Sequence, residues 1–193
     1  MLRYLKDTTS FGVSFHSSLN LQLTAYADAN WVGCPDDRRS TSGHYIFFGS
    51  NLVSWSFSKQ KVVSRSSIEV EYRALANAAF ELQWIQHFLQ EFFISSSSSP
   101  ILFYNNLSTT FLAPNPIFHS RVKHVELDCH FVWEKVLNKT LVVQHIPSCD
   151  QIVDTLTKAL PVQQFLNLRS KLTILTRPLS LRENVKPGTV VTK

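Results

Sequence analysis

The sequence predicts an α/β fold, a mixed sheet flanked by helices. Three observations predict it: a run of strand-like segments containing a tight hairpin, one long amphipathic helix after it, and then short apolar strands alternating with helical stretches. Hairpins make antiparallel neighbours, whereas a strand regained through a helix lies parallel, so the combination gives a mixed sheet.

Residues 21–28 (LQLTAYAD) alternate apolar and polar side chains with the period of a half-buried strand. Residues 34–41 (CPDDRRST) make a polar turn in which Arg38 and Arg39 pair locally with Asp36 and Asp37. Segments 44–48 and 52–57 are rich in aromatic and branched residues and flank Gly49-Ser50-Asn51, a hairpin signal. Ser66-Ser67-Ile68-Glu69 has the spacing of a capping box and opens the long helix. Leu75, Ala78, Leu82, Ile85 and Leu89 recur at intervals of three and four and share one face. Glu71 lies on that stripe, and a carboxylate on a buried face is costly unless it is paired or bound to a cation. Residues 95–99 are a serine run of linker character. Residues 101–104 form a short strand ended by Asn105-Asn106, and a short helix over 108–113 stops at Pro114-Asn115-Pro116. A helix over 124–137, a strand over 141–146, a helix over 151–160 capped by Asp150, and a helix over 163–172 complete the order. The tail after Thr176 is expected to be poorly ordered.

The 193 residues suffice for one domain with short extensions, and 44% apolar content allows a sizeable core. The net charge of +5 favours polyanionic partners such as nucleic acid. Three cysteines, Cys34, Cys129 and Cys149, without CxxC spacing argue against a disulfide framework and fit a reducing compartment. His119, His124 and His130 with Cys129 match no common zinc spacing, and helical packing explains them. The N-terminal MLRYLKDTTS is charged where a signal peptide needs an apolar run, and no apolar stretch is long enough to span a bilayer. An intracellular, non-secreted protein with no membrane association is therefore expected.

Acidic and amide residues recur at element ends. Asp28 closes the first strand, Asn105 closes the fourth, Glu71 lies early on the long helix, and Asp154 lies one turn into the helix after the last strand. If the first and fourth strands are neighbours, residues 28 and 105 lie side by side, and the helices can deliver Glu71 and Asp154 to the same point. Such oxygen donors suit Mg²⁺, and two such ions about 4 Å apart can activate water and stabilise the leaving oxygen of a phosphodiester. Lys59, Lys61 and Arg65 flank the start of the long helix, near Trp55 and Phe57, and suit the phosphates and minor-groove hydroxyls of a nucleic-acid duplex.

Several longer segments narrow this further: AYADANWVGCPDDRRSTSGHYIFFGSNLVSW, SKQKVVSRSSIEVEYRALANAAFEL, NLSTTFLAPNPIFHSRVKHVELDCHFV and VQHIPSCDQIVDTLTKALP. Over residues 1–172 the chain closely resembles the ribonuclease H region of plant copia-type retrotransposon Pol polyproteins, and SLRENVK resembles the usual ending of that family. The resemblance implies a ribonuclease H-like mixed five-stranded sheet flanked by helices over 19–172. It also implies a remnant of the reverse transcriptase C-terminal end and linker over 1–18, and a tail over 173–193. The implied activity is hydrolysis of the RNA strand of an RNA–DNA hybrid with two Mg²⁺ ions, Mn²⁺ being able to substitute. The implied partner is the reverse transcriptase domain of the same polyprotein, and the implied location is cytoplasmic particles and then the nucleus. Oligomeric state is left open.

By that resemblance, Asp28 in YADAN, Glu71 in VEYRAL and Asp154 in QIVDTLTK match the family's metal-binding acids. The remaining acid, an aspartate at the end of the fourth strand, is replaced by Asn105 in LFYNNLS. An amide oxygen can touch Mg²⁺ but brings no charge, so impaired catalysis is expected. Asn30 stands where the family has a second aspartate, and Trp133 where it has arginine. Two further readings are a non-catalytic nucleic-acid-binding remnant and a decayed reading frame.

Overall fold

The computed structural model describes residues 8–34, 36–94, 98–106 and 126–176. The expected helix over 108–113, His119, His124 and the tail beyond Thr176 lie outside the described residues. The described elements are β1 (Phe11–Val13), β2 (Leu23–Asn30), β3 (Thr41–Phe48), β4 (Asn51–Lys59), α1 (Ser67–Glu91), β5 (Ile101–Tyr104), α2 (Glu126–Leu137), β6 (Val142–His145), a 3₁₀ turn (Ser148–Asp150), α3 (Asp154–Thr157), α4 (Val162–Ser170) and β7 (Ile174–Thr176). The main sheet has five strands in the order β4-β3-β2-β5-β6. β2, β3 and β4 form an antiparallel meander, while β5 runs parallel to β2 and β6 parallel to β5. This is the mixed sheet expected from the element order. The β3–β4 hairpin turns at Gly49, whose φ of +61° and 2.3 Å approach of a would-be Cβ to the Asn20 carbonyl leave room only for glycine.

Alternation along β2 sorts its side chains between two cores. Leu23, Ala25 and Ala27 are fully buried against Leu75, Ala78 and Leu82 of α1, with Val132 of α2 joining them. On the opposite face Tyr45, Phe47 and Leu52 pack on Ile152, Val153, Leu168 and Leu172. Each fully buried leucine contributes about 1.5–3 kcal/mol, so the sheet is clamped from both sides. The α1 cap forms as expected: Ser66 Oγ accepts the Glu69 N–H at 3.4 Å, and the Glu69 carboxylate accepts the Arg65 N–H at 3.1 Å. The outer face of α1 carries Phe80, Trp84, Phe88 and Phe92, all exposed, with Trp84 stacked on Phe88 and Phe80 on Phe131. No described helix is long and apolar enough to cross a membrane.

Two regions differ from the sequence reading. β1 and β7 pair antiparallel as a second, two-stranded sheet, joining residues 11–13 to 174–176 outside the 19–172 span. Val13 and Ile174 pack there against the second core. Of the helix expected over 151–160, only Asp154–Thr157 is helical, and the 3₁₀ turn Ser148–Asp150 precedes it. Four consecutive residues, Gln151 to Asp154, are buried, which a one-sided helix cannot achieve. Lys158 is already extended at the helix end, ahead of Pro161.

Candidate active site

The parallel pairing of β2 and β5 sets the site. Its register ends at Ala27↔Tyr104, so Asp28 and Asn105 follow side by side at the strand ends. Phe103 stacks on Tyr26 at 5.1 Å on the α3 side of the sheet. Asp28 shares the Tyr26 face, whereas Ala27 faces α1. Asp28, Ala29, Glu71, Tyr104, Asn105, Asn106 and Lys158 line an open cleft of about 340 Å³ at this edge. Three of the four predicted site residues therefore share one cleft, and the fourth, Asp154, lies behind it.

Asp28 is 3% exposed and closely held. Thr157 Oγ1 donates to its Oδ2 at 2.5 Å, and the Lys158 ammonium lies 3.4 Å from its carboxylate oxygens. The same ammonium donates to Asp154 Oδ1 at 2.7 Å, an i,i+4 pair. Burial raises the Asp154 carboxyl above the usual aspartate range, the Lys158 hydrogen bond opposing this and the Asp28 charge adding to it. For Lys158, burial disfavours the charged form, but the Asp154 hydrogen bond and the two carboxylate charges outweigh it and raise the ammonium above the ordinary lysine value.

Backbone anchors fix this wall. Gln151, fully buried, donates from Nε2 to the Ala27 carbonyl at 2.8 Å. Asn30 donates from Nδ2 to the Thr157 carbonyl at 3.1 Å, a bond that an ionised aspartate has no hydrogen to make. Gly43 lets α3 close on β3, because a Cβ there would lie 3.1 Å from the Ser56 carbonyl and 3.2 Å from Val153.

The opposite wall comes from α1. Glu71 is half-buried at the cleft rim, where the sequence stripe had placed it on the core face. Its Oε2 accepts the Asn106 amide at 2.5 Å, and its main-chain carbonyl accepts the Tyr104 hydroxyl at 3.3 Å. Burial, with the charges of Glu71 and Asp28, holds that phenol well above its ordinary value, so it remains a donor.

The donors lining the cleft are all oxygen: the carboxylates of Asp28 and Glu71 and the side-chain carbonyls of Asn105 and Asn106. That chemistry fits a hard cation such as Mg²⁺ rather than a soft metal. The acids do not converge on one point, however, and among the described residues no three His, Cys, Asp or Glu side chains gather as a metal site. Position 105 contributes an amide to the cleft that the carboxylates of Asp28 and Glu71 also line.

Lys59 and Lys61 line a separate cleft of about 400 Å³ with Arg73, Asn77 and Asp128; Arg65 does not line it. Lys59 is also committed to the turn before β3, donating to Cys34 Sγ and Asp37, each at 3.1 Å. Hydrogen bonds from Cys34, the Arg39 backbone and Lys59 hold Asp37 down at about 2. Asp37 also pairs with Arg39 at 3.8 Å, the local pairing expected for this turn. His145 ends β6 and does not line the active-site cleft. Lys158, Thr157, Gln151 and Asn106 were not singled out in the sequence, although the Asp154–Lys158 spacing was a usable signal.

Comparison with known proteins places this geometry. No protein-family model matches the chain. It is 43% identical over 180 residues to the retrovirus-related Pol polyprotein from transposon RE2 of Arabidopsis thaliana, covering 93% of this chain and 12% of that polyprotein. It is 42% identical, with the same coverages, to the Pol polyprotein from transposon RE1 of the same plant. The tobacco (Nicotiana tabacum) transposon TNT 1-94 polyprotein is 32% identical over 86% of the chain. The chain thus spans about 12% of the length of these relatives. Among solved structures, the N-terminal RNase H domain of rv2228c from Mycobacterium tuberculosis superposes with a TM-score of 0.52 at 8% identity, covering 78% of this chain and 97% of that one. LC11-RNase H1, solved in complex with an RNA/DNA hybrid, gives a TM-score of 0.51 at 14% identity, covering 67% of this chain and 88% of its own. The fold is that of ribonuclease H, and in sequence the chain is homologous to a segment of the retrovirus-related Pol polyproteins of plant transposons.

Proposed function

We propose that the chain is a ribonuclease H-like nuclease domain that acts on the RNA strand of RNA–DNA hybrids and is impaired by Asn105. The observation that carries this reading is that Asp28, Glu71 and Asn105 line one cleft at the ends of β2 and β5, with Asp154 linked to Asp28 through Lys158. Asp28, Glu71 and Asp154 would hold divalent metal, with Asn105 as a neutral donor. The chemistry supplied by such bound ions would be activation of a water and charge neutralisation at the leaving oxygen of the phosphodiester. The rest is the work of the chain. Thr157 and Lys158 orient the Asp28 carboxylate, the Asn106 amide holds Glu71, and Lys59, Lys61 and Arg65 supply positive charge for the hybrid backbone. Asn105 offers a dipole where the family has a charge, so metal affinity and rate fall together. By the same reading the hybrid and a reverse transcriptase domain are the partners, and cytoplasmic particles followed by the nucleus are the location.

The test is cleavage of a labelled RNA–DNA hybrid in Mg²⁺ by this chain and by Asn105→Asp. Restoration by the aspartate supports the reading. Absence of cleavage by both contradicts it and favours a non-catalytic nucleic-acid-binding module, for which hybrid affinity would fall steeply with salt.

A further inference from the structure

We propose that Lys158 is a resident cation of the site: its ammonium occupies the place between Asp28 and Asp154 and competes with divalent metal for these two carboxylates. The inference rests on the metal-site reading above and goes beyond it by giving a role to a residue outside the four site positions. Asp28 and Asp154 are 3% and 4% exposed, and two such carboxylates facing each other repel strongly unless a cation lies between them. Lys158 provides it, 2.7 Å from Asp154 Oδ1 and 3.4 Å from Asp28. One positive charge against two negative charges leaves the pair net anionic, so it still attracts a cation.

The lysine differs from a metal ion in two respects. An ammonium donates hydrogen bonds but cannot lower the pKa of a coordinated water, so it holds the carboxylates in place without supplying a nucleophile. It is also tethered and removable. The Lys158 side chain is 35% exposed and lines the open cleft, so it can swing outward, while Thr157 and Asn30 keep α3 in position. Asn105 accentuates the competition, because the cleft lacks the third acid that would tip the balance towards metal.

Mn²⁺ binding to the full chain, measured by calorimetry without nucleic acid, tests this. Lys158→Gln is expected to bind Mn²⁺ on the order of tenfold more tightly than the natural chain, as follows from removing a like charge a few ångströms away. Lys158→Arg, which keeps the charge, is expected to show no tightening. Lys171→Gln removes a charge paired with Asp150 at 2.6 Å, outside the site, and should leave Mn²⁺ affinity unchanged. An affinity for Lys158→Gln equal to or weaker than that of the natural chain overturns the inference and leaves Lys158 a structural ion pair. Tightening by Lys158→Arg overturns it as well. If neither the natural chain nor Asn105→Asp binds Mn²⁺ at millimolar concentration, the metal-site reading itself fails, and the inference falls with it.

Discussion

On the α3 wall of the cleft, Asp28 is 3% exposed, accepts from Thr157 and Lys158, and is backed by Asp154 through the same ammonium. On the α1 wall, Glu71 is half-buried and accepts the Asn106 amide, with Asn105 lining the same cleft. The first wall is anchored to main-chain carbonyls by Gln151 and Asn30 and its acids are buried, whereas the second wall lies at a half-exposed rim. On the proposed reading, the scaffold of this site is intact and its chemistry is incomplete at one position.

Three changes can break or sharpen this comparison. The largest effect on stability is expected for Gln151→Ala. It leaves the buried Ala27 carbonyl and the Val153 N–H without their side-chain partner and should cost about 1–3 kcal/mol in urea unfolding. On the other wall Asn106→Ala removes a bond at a half-exposed rim and should cost less than about 1 kcal/mol. Equal losses would remove the distinction between the walls.

The smallest effect concerns pH. His44 lies on β3 beneath α1, its Nε2 has no hydrogen-bond partner among the described residues, and burial holds its pKa below the ordinary histidine value, the Glu81 charge only partly opposing this. The unfolded chain therefore takes up a proton near the ordinary value while the folded chain resists it. Stability is highest above that value and falls as pH drops through the window towards the folded pKa. The urea midpoint should decline between about pH 7 and pH 5 in the natural chain, and less so in His44→Leu. Parallel declines would assign the effect to other groups.

Much of this was legible in the sequence, for identifiable reasons. The five main strands were readable because their alternation and turn residues are local signals, whereas the side-by-side placement of Asp28 and Asn105 was conditional on β2 and β5 being neighbours, a long-range pairing that the structure supplies. β1 and β7 were not readable: three-residue strands carry no periodicity, and their pairing spans almost the whole chain. The 151–160 segment misled because Ile152, Val153, Leu156 and Leu160 suit a helical face, yet tertiary burial of Gln151 to Asp154 overrides that preference. Lys158 escaped notice because a lysine one turn after Asp154 reads as a solvated helix residue, and only the short α3 turns it inward.

The most direct test of the central claim is cleavage of a labelled RNA–DNA hybrid in Mg²⁺ by the natural chain, by Asn105→Asp, and by Asn105→Asp combined with Asp28→Asn. The account predicts that Asn105→Asp exceeds the natural chain by several orders of magnitude and that the added Asp28→Asn abolishes the gain. Equal cleavage by the natural chain and Asn105→Asp, or a restored activity indifferent to Asp28, would contradict it.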